Sequence, residues 1–445
     1  MLFATELAER FSYYGMRGIL TLYLTASDEG APGWTSAQAV AFYGTYTMSV
    51  YLASVPGGII ADRWLGQRRA VLIGAVLLAG GHGVLAIPGM TAFYSGVALI
   101  VAGVGLLKPN ISTMVGQLYG DGDARRDRGF MIFYMGINVG ATAPLFVGPV
   151  AEGISWHLGF GMAGVAMLLS LVVYGLGMPL LRGIGEPPGR HGDGDADSAG
   201  DAAKKRPARE PLSKVDRDRV VVLLVSFLIV VVFWAAYEQA GGLLNLYTDA
   251  KIDRTVMGVE IPASVFQSLP ALYIVFLAVP VGVAWDAWRR GGGEANALFK
   301  MGLGTMIMGL GFVFLVFAAN DAAASPDGKA AMYWLFLAYL FHVLGELCVS
   351  PVALSYITKL APVGYASIMM GAYFAVTGLA NKLAGKIGEY AVKLGERPVF
   401  IGIAAFAVFF GLLLLAFRRR LQAMTHGAED LASDDASGEA SDVPD

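Results

Sequence analysis

With 445 residues, of which 56% are hydrophobic and only 15% charged, and with 58 glycines, the chain is too apolar and too glycine-rich for an ordinary soluble domain. Its mean hydropathy of +0.58 points the same way, and a single cysteine, Cys348, excludes a disulfide framework. The net charge of −3 says little by itself, because the charges are sorted by position along the chain rather than balanced locally.

The first predicted element, residues 2–25, is apolar enough to span a membrane yet carries Glu6, Glu9, Arg10 and Arg17. Positions three, four and seven apart share one face of a helix, so these four residues form a polar stripe with Tyr13 and Tyr14. A charge in hydrocarbon costs at least about 2.5 kcal/mol, so the stripe has to face protein or water. It implies a cavity whose other walls come from later in the chain.

Eleven further apolar segments follow, at 36–60, 68–88, 91–118, 127–150, 157–181, 219–245, 262–285, 297–319, 330–357, 363–390 and 397–418. At 1.5 Å per residue each crosses a hydrocarbon core of about 30 Å, so an all-α membrane protein of twelve spans is expected. The second ends in GGIIADRWLGQRR, where Gly57 and Gly58 permit close helix contact and Asp62 can accept hydrogen bonds near a helix end. The fourth buries Lys108 in VAGVGLLKPNIST, and a buried ammonium needs a carboxylate partner or loses its proton. The fifth carries Asn138 in FYMGINVG. Residues 182–218 then make a polar linker rich in Gly, Asp and Pro that cannot build a core and divides six spans from six. Glu238 and Gln239 lie in the seventh span, and Pro262, Pro270 and Pro280 punctuate the eighth, as bends at gating elements would. Glu346 sits deep in the tenth, and the eleventh holds Tyr373, Asn381, Lys382, Lys386 and Glu389. Residues 421–445 read as a polar, disordered tail.

If both termini are cytoplasmic, the inner loops and tail hold 21 of the 32 Lys and Arg residues and the outer loops 5, a clear positive-inside bias. The first span lacks the cleavage site of a signal peptide and is too polar on one face for the apolar core of one.

Seven ionisable residues are thus unfit to face lipid: Glu6, Glu9, Arg10, Arg17, Lys108, Glu238 and Glu346. Buried ion pairs add little net stability over apolar packing, so structural bridging leaves their number unexplained, although some can specify helix packing. A carrier explains both signs, because carboxylates can take and release protons while cations anchor an anionic substrate group. No P-loop, HExxH or CxxC pattern is present and the five histidines are scattered, so an ion gradient is the expected energy source, with no metal, no cofactor and no enzymatic activity.

These residues also carry a family resemblance. Glu6 to Tyr14, ELAERFSYY, resembles the ExxERFxYY signature of the proton-dependent oligopeptide transporters, a branch of the major facilitator superfamily. Asp62 to Gly66 resembles the superfamily's inner-loop motif, Lys108 to Ser112 the KPNIS segment, and Phe133 to Gly140 the FYxxINxG segment. Tyr237 to Gln239 resembles the FEQ segment with Tyr for Phe, and Gly345 to Pro351 the GELxxSP segment.

The resemblance implies symport of di- and tripeptides with protons by alternating access. Two six-helix bundles, residues 1–181 and 219–420, would enclose the site, in a bacterial cytoplasmic membrane. It casts Arg10 and Lys108 as holders of the peptide carboxylate and Glu346 as the partner of the amino terminus. Glu6 and Glu9 join Lys108 in proton coupling, Arg17 and Glu238 form a gating ion pair, and Tyr13, Tyr14, Tyr51 and Asn138 line the pocket. Three departures modify that expectation. The linker lacks the two extra helices common in bacterial relatives, Pro270 stands where the eighth span usually has Asn, and Tyr373 replaces a pocket Trp. The chain also begins close to the signature, so a late start or a shorter first helix is expected. A carrier of another solute such as nitrate, and a receptor or scaffold that does not transport, are the competing readings. Oligomeric state is left open.

Overall fold

The polar stripe of the first element does not prevent a continuous helix, because its residues find protein partners. In the computed structural model, which describes residues 1–28, 30–119, 125–187, 213–362 and 365–428, this helix is α1, Leu2–Thr25. It is the most enclosed helix of the first half, with Met16, Ile19, Leu20 and Leu24 completely buried. Helix α2, Ser36–Ile60, starts on a capping box in which Thr35 and Gln38 satisfy each other's backbone donors. A π-helical turn, Ala61–Leu65, follows, and Gly66 takes φ 74° to reverse the chain, with the Gln67 side chain donating to Asp62 at 2.9 Å. Helices α3, Gln67–Leu85, and α4, Met90–Gln117, pack backbone to backbone. A Cβ on Gly74 would lie 2.8 Å from the Gly103 carbonyl, so small residues set this contact.

The fifth predicted span divides into α5, Arg125–Gly140, and α6, Pro144–Gly153. Pro144 opens a new helix where its missing N–H costs nothing, which is why the expected single rod is broken. Helix α7, Trp156–Gly177, and a 3-10 turn, Met178–Leu181, complete the first half.

Helix α8 spans Lys214–Tyr237, starting earlier than residue 219 because Ser213 and Asp216 form a capping box. It also stops earlier than residue 245. A turn at 238–242 separates it from α9, Leu243–Lys251. A 3-10 turn, Ala263–Ser268, then feeds α10, Leu269–Arg290, and α11 to α14 follow at Ala297–Ala324, Tyr333–Leu360, Ala366–Leu394 and Glu396–Ala423. Two features have no counterpart in the sequence reading. Strands β1 (Ile252–Asp253) and β4 (Ala330–Ala331) pair in parallel, and β2 (Thr255–Val256) and β3 (Val259–Glu260) form a hairpin over Met257 and Gly258, both at positive φ.

The buried apolar residues form three clusters, one confined to residues 2–181 and two to residues 222–414. Among the described residues, nine helical segments are long and apolar enough to cross a membrane, which makes this a multi-pass, almost entirely α-helical membrane protein. Helix α1 falls short of that apolarity because of its charges, α2 because of its Ser, Thr, Tyr and Gly content, and α13 because of Lys382, Lys386, Glu389 and Lys393.

The expected linker and tail lie largely outside the described residues. Of the linker, residues 213–218 belong to the start of α8, and residues 182–187 sit against the α2–α3 turn, where Arg68 pairs with Glu186 at 2.9 Å and donates its backbone N–H to Gly185. Of the tail, residues 424–428 turn back onto α8, Arg219 donating to the Thr425 carbonyl at 3.0 Å. The membrane side where α7 ends and α8 begins is called here the linker side, and the opposite one the far side.

Candidate functional site

A cavity of about 150 Å³ lies between the two halves, and helical spacing governs what lines it. Helix α1 contributes Arg10, Tyr13, Tyr14, Arg17 and Gly18, α5 and the turn after it contribute Tyr134, Ile137, Asn138 and Ala141, and the 263–290 segment contributes Gln267, Pro270, Ala271 and Ile274. Each set follows the three, four and seven spacing of one helix face. Tyr51, Lys108, Trp234, Tyr237, Glu238 and Glu346 are also part of the wall.

The charges in this wall are ordered. Arg10, 3% exposed, meets Glu9 through two contacts, Nη2 to Oε1 at 2.5 Å and Nε to Oε2, and its Nε is 3.3 Å from Glu6 Oε1. This is the bidentate fork that a planar guanidinium makes with a carboxylate. Its Cζ also lies 5.1 Å from the Tyr13 ring centroid. The close approach of α5 behind it depends on Gly140, where a Cβ would stand 2.6 Å from Arg10 Cβ. Lys108 rests over the Tyr51 ring, its Nζ 4.8 Å from the centroid. Of the two outcomes the sequence left open for this buried ammonium, contact with a carboxylate partner is not the one the structure shows. Glu6 and Glu9 turn to Arg10, which offers two or more donors in a fixed plane where an ammonium offers a point charge.

Toward the far side, Arg17 Nη2 donates to Glu238 Oε2 at 2.6 Å and its Nε contacts the Tyr43 hydroxyl. Tyr43 also reaches Glu238 at 3.4 Å. A Cβ on Gly241 would collide with that hydroxyl, so the turn after α8 needs glycine there. Further contacts join the halves at this level. Asn245 donates to the Gly18 carbonyl at 2.7 Å, Lys382 to Thr45 at 2.5 Å, and α2 and α13 touch at Gly44 and Gly385. Toward the linker side the helices present open surface instead: Tyr134, Met131, Leu52 and Leu354 are each at least 40% exposed.

The sequence-predicted residues Arg10, Tyr13, Tyr14, Tyr51, Lys108, Asn138 and Glu346 all line this one cavity, as do Arg17 and Glu238. Glu6 and Glu9 do not line it and stand behind Arg10, 2% and 1% exposed. Asn138 donates to the Tyr134 carbonyl one turn back, leaving its Oδ1 and second N–H as the groups it can offer. Glu346 lies beside Tyr237, and its Oε2 is shielded from solvent without a hydrogen-bond partner. Sequence reasoning missed Tyr134, Trp234, Tyr237 and Gln267. The signal was present, since Trp234 stands one turn from Glu238, Tyr237 immediately before it, and Gln267 one turn from Pro270. Among the described residues no three His, Cys, Asp or Glu side chains gather as a metal would require.

The comparisons with known proteins agree on what this arrangement is. The model of the POT family matches residues 68–189 and 201–404. The chain belongs to the POT family, the proton-dependent oligopeptide transporters. Its POT-family relatives include the peptide transporter YePEPT of Yersinia enterocolitica, 33% identical over 96% of this chain and 95% of that one. The di-/tripeptide transporter of Lactococcus lactis is 33% identical, covering 94% of each. Among solved structures, that of peptide transporter POT in complex with sulfate superposes with a TM-score of 0.85 at 35% identity, over 95% of this chain and 94% of that one. A POT family transporter in complex with a thioalcohol-conjugated peptide superposes at 0.84 with 27% identity, over 94% and 96%.

Proposed function

We infer that this chain is a proton-coupled symporter that imports di- and tripeptides by alternating access. The observation that carries the reading is one cavity with Arg10 and Lys108 on the first half and Glu346 on the second, charges of opposite sign for the two ends of a zwitterion. Arg10 and Lys108 hold the peptide carboxylate, Glu346 takes the amino terminus, and Tyr13, Tyr14, Tyr51 and Asn138 form the walls between. A plain anion would leave Glu346 without a purpose, which disfavours a nitrate carrier.

Proton coupling follows from the competition for Arg10. Its fork is occupied by Glu9, so a peptide carboxylate must displace that acid. A proton on Glu9 or Glu6 weakens the internal pair and releases the guanidinium, so peptide and proton enter together, with Lys108 sharing the charge change. Arg17 and Glu238 form the gate whose separation opens the far side.

The architecture that fits is the major facilitator arrangement of twelve spans in two six-helix bundles, residues 1–181 and 219–420. The cytoplasmic linker is 182–218 and the tail 421–445. The division of the apolar clusters between the two halves supports it. The bias of 21 basic residues to 5 supports cytoplasmic termini in a bacterial inner membrane, with the far side outside.

The test is uptake of labelled dialanine by proteoliposomes with and without an imposed inward proton gradient. Accumulation should require the gradient and be competed by other dipeptides but not by free alanine. Absence of any peptide counterflow by folded, reconstituted protein would overturn the reading.

A further inference from the structure

Helix α6 meets the second half along a seam that is separate from the Arg17–Glu238 pair. Near its far-side end, Glu152 inserts its carboxylate into the start of the 263–268 turn. It accepts from the Ala263 backbone N–H at 2.8 Å, the Ser264 N–H at 2.9 Å and the Ser264 hydroxyl at 2.5 Å. Those two N–H groups begin a helical segment and have no partner within it, and both residues are completely buried. One turn closer to the cavity, a Cβ on Gly148 would collide with Ser264 Oγ, so this glycine lets α6 approach. Further in, Ser268 donates to the Thr142 carbonyl at 3.3 Å. The two strips of chain in this seam also carry cavity wall, Ala141 and Pro144 on one and Gln267 and Pro270 on the other.

We propose that Glu152 is a second far-side latch, a carboxylate that must release three donors of the opposite half each time the cavity opens to that side. The chemistry differs from that of the gating ion pair. Arg17 and Glu238 neutralise each other, whereas all three donors of this latch are uncharged, so its strength rests on the negative charge of Glu152 alone. A cation that acts on it, Arg254, is itself paired with Asp249 at 2.9 Å and Glu260 at 3.0 Å. Closing the far side thus caps a helix start, and opening it exposes that start again. The latch rests on the alternating-access reading and adds a positioning residue to it.

The test reads the width of the far side directly. Ile87 and Met257 are exposed at 57% and 101% in far-side loops of the two halves, and the native Cys348 is buried. Spin labels on Ile87→Cys and Met257→Cys in the full chain, in lipid nanodiscs, give a distance distribution with closed and open populations. Replacing Glu152 by Gln exchanges charge-assisted bonds for neutral ones and should raise the open-to-closed ratio by about tenfold. Ser264→Ala, which removes one donor of three, should shift it in the same direction by less. A merely structural Glu152 would lower the melting temperature without moving the distances. Superimposable distributions for wild type and Glu152→Gln overturn the latch, and if Glu152→Gln does not fold, an unmoved Ser264→Ala distribution does so. A wild-type distance that neither dialanine nor a change of pH moves would instead overturn alternating access itself.

Discussion

Replacing Glu9 by Gln separates peptide exchange from proton-driven accumulation. In the structure Glu9 holds Arg10 through a 2.5 Å bond at Nη2 and a second contact at Nε, both charge-assisted. Each such bond is worth about 1.5 to 3 kcal/mol, and a single amide oxygen in place of the carboxylate can keep only one of the two, so the variant gives up at least about 1.5 to 3 kcal/mol of hold on the guanidinium. Arg10 is not stranded, because Glu6 remains 3.3 Å away, and the protein should fold. The freed fork should bind a peptide carboxylate at least as well as before, so counterflow of labelled for unlabelled dialanine persists within a few-fold of wild type. Acid-driven accumulation should collapse, because the amide can neither take up nor release the coupled proton. Both modes are measured on one reconstituted preparation. Retained accumulation would remove Glu9 from the coupling mechanism, and parallel loss of both modes would reduce it to a brace for Arg10.

Glu346→Gln should weaken dialanine binding about 5- to 30-fold, the roughly 1 to 2 kcal/mol lost when an ammonium donates to a neutral amide oxygen instead of a carboxylate, in an equilibrium binding assay; unchanged affinity would place the ammonium contact elsewhere. Gly241→Ala forces a methyl group against the Tyr43 hydroxyl, 3.0 Å from Arg17 Nε, and should widen the far side in the same label-pair measurement. Gly44→Val, at a position where even a Cβ would sit 2.8 Å from the Asn381 carbonyl and from Gly385 Cα, should hold α2 off α13 and abolish uptake while leaving the protein in the membrane fraction. Outside the spans, hydrogen bonding from Arg418 holds the Glu294 carboxyl below its ordinary range. The stability it contributes is present at neutral pH and fades only as pH falls through that depressed value. Glu294→Gln should therefore lower the melting temperature at pH 7 by no more than about a degree or two, and the difference should vanish in strong acid.

How far the sequence reaches depends on whether a feature is local. The α1 stripe was legible because helical spacing alone places Glu6, Glu9, Arg10 and Arg17 together, and most span limits fall within a few residues of those expected from hydropathy. What was not legible depends on partners distant in the chain. Lys108 reads as a cation in need of an acid, yet it rests on Tyr51 because Arg10 sits closer to both acids on their own helix. The break before Pro144 hides inside an apolar run, and the turn at 238–242 opens on Glu238 and Gln239, which read as polar groups inside a span rather than as the end of a helix. The β1–β4 pairing joins residue 252 to residue 330, a register no local pattern encodes. Glu152 reads as an ordinary acid at a helix end until Ala263 and Ser264 are seen to donate to it.

The three helices that fail a test of apolarity connect these levels. Lipid-facing spans are free to be largely apolar, and among the described residues nine segments qualify on length and composition. Helices α1, α2 and α13 are long enough but too polar, and the halves touch through them as well as through the α6 seam. Arg17 on α1 reaches Glu238, Thr45 on α2 meets Lys382 on α13, and Gly44 meets Gly385. Polarity is tolerated in hydrocarbon only where another part of the protein satisfies it, so a deficit of hydropathy in a long helix marks a surface that another helix covers. The partners on these surfaces are hydroxyls, single ion pairs and glycine contacts rather than large interlocked side chains. Such contacts are weak enough to break and specific enough to re-form, which is what a seam that opens and closes around a cavity requires.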